Sequence, residues 1–172
     1  MTDSARATST QGKNDLYGVT RIVSGGQTGV DRAALDFALA QKIEHGGWCP
    51  KGRLAEDGAI PNQYVLRETE SREYRVRTER NVVDSDGTLL LYRYRLSGGT
   101  LLTHRFAKEH ERPVYRVRLE RPGNWLPLIE WLQDTAITTL NVAGPRESSN
   151  PGIAEETRLA LEALQKACPI LE

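Results

Sequence analysis

Three glycine turns hold the residues whose types and spacing could do chemistry: Ser24-Gly25-Gly26-Gln27-Thr28-Gly29-Val30-Asp31-Arg32, Ser97-Gly98-Gly99-Thr100 and Gly144-Pro145-Arg146-Glu147-Ser148-Ser149. That chemistry is anion binding. Gly25, Gly26 and Gly29 permit a tight turn and carry no side chain to hold a ligand off the main chain. Bare N–H groups can then face a phosphate, and a helix opening behind the turn adds its own unpaired N–H groups and the positive end of its dipole. The spacing excludes two common sites. The first turn lacks the Gly-Lys-Ser/Thr ending of a P-loop, and its glycines do not fit a dinucleotide fingerprint. The alternative is that the glycines only let strand and helix pack closely. Repetition of the pattern at three strand ends favours a cradle built from Gly25, Gly26, Gln27, Thr28, Gly29, Gly98, Gly99 and Thr100, with Gly144 in the third turn.

Backbone bonds to a charged group contribute about 1.5–3 kcal/mol each, and association entropy opposes them, so a cationic side chain is expected nearby. Arg146 lies in the third turn, where its planar fork suits a phosphate or the edge of a flat ring. Lys51 sits in a loop of turn formers, residues 47–53, that could fold over the mouth of the crevice. Arg32 falls in a first helical turn, where the dipole disfavours a cation; it points to a ligand or an acidic partner, or else pairs with Asp36. Asp31 caps the helix or meets the ligand. Trp48 stacks on a flat ring or simply packs, and Cys49 meets a thiolate-loving group or is a small buried hydrophobe. His45, His104 and His110 share no metal-binding spacing. Asp84 and Asp86 punctuate the start of a strand. Residues 67–80 alternate in charge and read as a solvated face.

These turns need elements to position them. Apolar runs at residues 19–23, 87–94 and 138–143 precede the turns, and helix-compatible segments at 30–38, 101–110 and 153–167 follow them. Alternation of strand and helix is the pattern of an α/β domain with parallel strands. Ligands of such sheets bind outside the carboxyl ends of the strands, so three turns distant in sequence can converge on one crevice. In the first helix Val30, Ala34, Phe37 and Ala38 share an apolar face. Residues 114–119 alternate between arginine and apolar types on one side, as at a sheet edge. Thr100 is expected to cap the second helix and Asn124 a helix at 125–134.

Composition sets bounds. A chain of 172 residues is one domain of ordinary size, and 23 basic residues balance 23 acidic ones, so no overall field draws it to nucleic acid or an anionic membrane. Two cysteines, Cys49 and Cys168, are too few for a disulfide framework, which fits a reducing cytoplasm. Residues 1–16 form a polar tail without a signal core or membrane span, and 17–172 the ligand-binding domain.

The first two turns, together with Gly47-Trp48-Cys49-Pro50-Lys51-Gly52-Arg53, Arg77-Thr78-Glu79-Arg80-Asn81-Val82, Asp86-Gly87-Thr88 and Asn141-Val142-Ala143-Gly144-Pro145-Arg146-Glu147-Ser148, resemble the putative molybdenum carrier family over residues 19–167. That family is similar in turn to LONELY GUY-type, lysine-decarboxylase-like Rossmann proteins. The resemblance implies a Rossmann-like three-layer sandwich with a mostly parallel sheet. It implies molybdenum cofactor (molybdopterin) as a carried ligand, or a nucleotide in its place. It also implies a homo-oligomer, with molybdoenzymes or cofactor-synthesis proteins as partners. The hydrolase branch of the wider group places a glutamate soon after its second glycine turn. Here Leu101, Leu102, Thr103 and His104 follow Thr100, and Glu109 lies too far along the helix. Cleavage of nucleoside monophosphates therefore ranks behind carriage, and nucleotide sensing is a further alternative.

Overall fold

The apolar runs become the strands of a parallel sheet in the computed structural model, which describes residues 14–167. In chain order the elements are β1 (Arg21–Val23), α1 (Val30–Gln41), β2 (Glu44–Gly46), β3 (Trp48–Cys49), β4 (Leu54–Ala55), β5 (Gly58–Ala59) and β6 (Arg67–Glu68). There follow α2 (Tyr74–Val83), β7 (Gly87–Tyr92), α3 (Gly98–Glu109), β8 (Val114–Arg118), α4 (Leu126–Asp134), β9 (Thr139–Ala143) and α5 (Ile153–Lys166). The main sheet runs β2-β1-β9-β7-β8 with every pair parallel. β3 pairs with β6, and β4 with β5 forms a small antiparallel hairpin.

The chain's last strand lies at the sheet's centre. β9 sets Leu140 beside Ile22 on one flank and beside Gly87 on the other. The step from β1 to β2 and the step from β7 to β8 run outward in opposite directions, so right-handed crossovers put α1 and α3 on opposite faces. The packing agrees. α1 lies against α5 and α2 against α3. Val114 joins Val82, Phe106 and Ala107 on one face, whereas Val117 joins Phe37, Leu132 and Leu161 on the other. This is an α/β three-layer sandwich of Rossmann type. Between the outward-running halves lies a topological switch point, with β9 filling the gap.

Several expectations take sharper form. Val30, Ala34, Phe37 and Ala38 of α1 are all buried. β8 is an edge strand, as its alternation suggested. Asn124 accepts the Leu126 N–H at 2.9 Å, at the start of α4. Thr100 is not a cap: α3 begins earlier than expected, with Ser97 in the capping position and Thr100 inside the first turn. Of the polar tail, residues 1–13 lie outside the described residues, as does Cys168. Leu16 is 1% exposed and packs into the main core. Among the described residues no helix is long and apolar enough to cross a membrane.

Candidate ligand-binding cleft

The turns after β1, β9 and β7 meet at the carboxyl edge of the sheet, where they enclose a cleft of about 200 Å³. The first and third turns are knitted together. Val30 N–H donates to the Pro145 carbonyl at 3.2 Å, and Glu147 N–H donates to Thr28 Oγ1 at 3.2 Å. Gly29, at φ 81°, makes this possible: a Cβ there would stand 2.8 Å from the Glu147 nitrogen and press on the Pro145 carbonyl oxygen. The wall of the cleft takes Gly25, Gln27 and Asp31 from the first turn and α1, Ser97 to Thr100 and Thr103 from α3, and Gly144 and Arg146 from the third turn. Asn141 of β9 and Arg77, Thr78 and Asn81 of α2 complete it.

Arg77 is the buried cation of the site. Only 8% exposed, it donates from Nη1 to the Gly25 carbonyl at 2.7 Å and from Nε to Thr78 Oγ1 at 3.2 Å. Its guanidinium also lies over the Tyr74 ring, 5.2 Å from the centroid. Asp31 Oδ2 lies 3.9 Å from Nη1 and accepts the Gln27 N–H at 3.3 Å. Burial pushes the Asp31 carboxyl up from its ordinary 3.8, against the opposing pull of Arg77. Asp31 therefore neither caps α1, whose capping position is Gly29 without a side-chain bond, nor stands clear of the cleft.

Polar side-chain groups at the cleft lack partners among the described residues, one of them fully buried. Gln27 spends its Oε1 on the Thr28 and Glu56 N–H groups, at 3.0 and 2.9 Å, and its buried Nε2 donates to nothing. The Thr100 hydroxyl, on a residue 3% exposed, likewise makes no hydrogen bond. It stands in the first turn of α3, where the Thr100 N–H is taken by the Ser97 carbonyl at 3.1 Å and the N–H groups of Gly98 and Gly99 have no intrahelical acceptor. A Cβ on Gly98 or Gly99 would meet nothing within 4 Å. Open space, free donors and a helix N-terminus thus coincide with a buried arginine, which is the arrangement an anion requires.

Gly26, Thr28, Gly29, Arg32 and Lys51 do not line the cleft. Gly26 turns toward the β4–β5 side, where a Cβ would crowd Ile60 and Leu66. Thr28 Oγ1 and Ser148 Oγ both donate to Glu56, which ties the β4–β5 hairpin across the first and third turns. Arg32 finds its acid in Asp57, as a two-pronged pair, and donates from Nε to the Gly26 carbonyl at 3.1 Å; Asp36 instead accepts the Tyr64 hydroxyl at 2.5 Å. Lys51 is exposed, with its loop fixed by a backbone bond to Ser71.

The remaining candidates take the plainer of their two readings. Trp48 lies under the guanidinium groups of Arg67 and Arg80 and donates from Nε1 to Asp84 at 2.7 Å, away from the cleft. Cys49 is buried among Leu35, Ile60 and Tyr64, and burial pushes its thiol up. The three histidines stay apart, and among the described residues no group of His, Cys, Asp or Glu could hold a metal ion. Arg77 fell within the charged run 67–80 and Asn81 just beyond it, and although both stand in a motif quoted above, neither was named as a site residue. Helical spacing is the signal that could have found them, because i and i+4 share one face of α2. Asn81 is 3% exposed and is exchanged with the Trp48 backbone in two bonds of 2.7 and 2.9 Å.

Fold and cleft together define a Rossmann-type α/β domain with a cleft at its switch point. The circularly permutated YpsA SLOG family matches residues 22–165, and the chain belongs to that family. It is similar to a solved structure from Syntrophus aciditrophicus SB named "putative molybdenum carrier protein", with 44% identity over 87% of this chain and 96% of that one and a TM-score of 0.83. A second solved structure, (E)-4-hydroxy-3-methyl-but-2-enyl diphosphate reductase, shares 10% identity over 85% of this chain and 60% of that one; its TM-score of 0.36 gives it no weight. No curated protein matches the chain.

Proposed function

We propose that this chain binds a phosphorylated, ring-bearing ligand in the cleft and stores it or hands it on, with molybdenum cofactor as the ligand. The observation that carries the reading is the coincidence of the unpartnered Thr100 hydroxyl, the open N-terminal turn of α3 and the buried Arg77 guanidinium. A terminal phosphate is the group that uses all three. The name of the Syntrophus protein supports a molybdenum-bearing cargo over an ordinary nucleotide. Molybdoenzymes or cofactor-synthesis proteins would then receive or supply the ligand.

Native mass spectrometry after anaerobic purification from a host that makes the cofactor tests this, with metal analysis and pterin fluorescence in parallel. Molybdenum and pterin near one per chain are expected. An empty protein, or one holding a nucleotide, overturns the carrier reading.

One observation favours a second reading, hydrolysis of nucleoside monophosphates. The acid missing from α3 has a substitute in the cleft, because Asp31 is buried there with its carboxyl pushed toward the protonated form. A general acid must lie within hydrogen-bond reach of the leaving group. Release of free base from AMP or CMP by the wild type, lost in Asp31→Asn, would establish hydrolysis in place of carriage.

A further inference from the structure

The cleft has no aromatic wall: among the described residues lining it, none is Trp, Tyr, Phe or His. At about 200 Å³ it is also smaller than the several hundred Å³ usual for a small-molecule site, so a ring attached to a held phosphate must project toward the mouth. The flat surface at that mouth belongs to Arg146. Its side chain is 41% exposed, whereas that of Arg77 is 10% exposed. The Arg146 guanidinium lies over the Tyr74 ring, 5.7 Å from the centroid, and Nη1 is 3.9 Å from Glu56 Oε2.

This placement divides the two arginines by task. Arg77 is fixed from within by the Gly25 carbonyl and lies deep, where an anion would be desolvated. Arg146 already has a carboxylate at its edge, which weakens it as a phosphate clamp. Its guanidinium lies over an aromatic ring, and its side chain is 41% exposed. A guanidinium is weakly hydrated on its faces and stacks on flat π-systems, a property that lysine lacks.

The geometry points to Arg146, seated on Tyr74, as the residue that selects for a planar heteroaromatic ring by stacking against it, while Arg77 and the α3 turn hold the phosphate. Resting on the phosphate-ligand reading above, it assigns the ring end of that ligand and, of the two partners the sequence offered Arg146, takes the ring rather than the phosphate.

Calorimetric titration with AMP, with phosphorylated neopterin and with ribose phosphate lacking a base tests it. In the wild type either ring-bearing probe should bind about tenfold tighter than ribose phosphate, the scale of one desolvated stacking contact. In Arg146→Ala, and equally in Arg146→Lys, which keeps the charge but not the plane, that ratio should fall to near one. Tyr74→Leu, which removes a ring that lies under Arg77 as well, should lower the ratio part of the way and weaken all three probes alike. A ratio preserved in Arg146→Lys, or absent from the wild type, overturns the ring assignment alone. Failure of all three probes to bind the wild type overturns the phosphate-ligand reading and the assignment with it.

Discussion

Arg77 Nη1 of α2 and Asp31 Oδ2 of α1 stand 3.9 Å apart, each residue less than a tenth exposed. At that distance they attract without a direct hydrogen bond, and each takes its bonds from backbone of the first glycine turn instead: the Gly25 carbonyl for Arg77 and the Gln27 N–H for Asp31. The turn is thereby held from both sides. Removing one partner leaves the other buried without its counter-charge.

Arg77→Ala should accordingly cost about 3–5 kcal/mol of stability at neutral pH, eased as Asp31 takes up a proton. Arg77→Met combined with Asp31→Asn should recover most of that loss, because both charges are gone and the volumes nearly kept. Inorganic phosphate binding, followed by ³¹P NMR, should be lost in the single and the double variant alike. Phosphate binding that survives in the stable double variant would show that Arg77 does not hold the anion.

Asp31 also sets a pH dependence. Its folded-state pKa is raised above 3.8 by burial, so the native protein holds a proton that the unfolded chain has released. Stability due to this group is therefore full below about pH 3.8 and falls as pH rises through the raised value. Asp31→Asn, isosteric and uncharged, leaves Arg77 without its counter-charge but removes this titration, so its deficit relative to the wild type should narrow as pH rises through that window. Denaturant unfolding at stepped pH measures the difference, and a difference independent of pH would contradict the account.

Asp86 behaves in the opposite sense. Its Oδ2 accepts the Thr139 N–H at 2.8 Å, the Thr138 N–H at 3.1 Å and the Thr138 hydroxyl at 2.9 Å, and these bonds, the first above all, hold its carboxyl below 3.8. The contribution is present above pH 3.8 and is lost as pH falls through the lower, folded-state value. Asp86→Ala should cost about 0.5–1.5 kcal/mol near neutrality, the scale for bonds to a solvent-screened carboxylate, shrinking below pH 3.8 in the same unfolding series. A cost that persists undiminished in strong acid would assign the effect to packing.

Two glycine substitutions should part stability from binding. Gly29→Ala forces a Cβ against the third turn's backbone at a positive φ, and its melting temperature should drop by many degrees. Gly99→Ala meets nothing within 4 Å and should melt as the wild type does, yet its methyl enters the space over the α3 turn and should weaken phosphate binding. Unaltered phosphate affinity in Gly99→Ala would move the anion elsewhere in the cleft.

The sequence displayed the turns but not the direction each faces. Local signals such as Val30, Ala34 and Phe37 on one face, or the arginine alternation of β8, report what an element does with its own neighbours, and those held. Which side of a turn faces the ligand depends on what packs behind it. Gly26 and Gly29 look equivalent to Gly25 in the sequence, but Ile60 and Leu66 lie behind one and the Pro145 backbone behind the other. Arg77 was obscured for the converse reason: its neighbours Arg75, Glu79 and Arg80 are surface residues, and only the docking of α2 beside the first turn makes it interior. Arg32 found its acid in Asp57, 25 positions away, rather than in Asp36, because the β4–β5 hairpin folds back over α1.

The central position of β9 bears on how the protein is made. Until residues 139–143 have left the ribosome, β1 and β7 have no strand between them, and the two halves of the sheet are not hydrogen-bonded to each other. A nascent chain lacking its last segments would expose the flanks of both strands as open edges, the surfaces most prone to wrong pairing. Closure of the sheet and completion of the cleft thus both wait on β9: a chain cut short before it carries the first and second turns but neither the third turn nor the strand that sets them side by side.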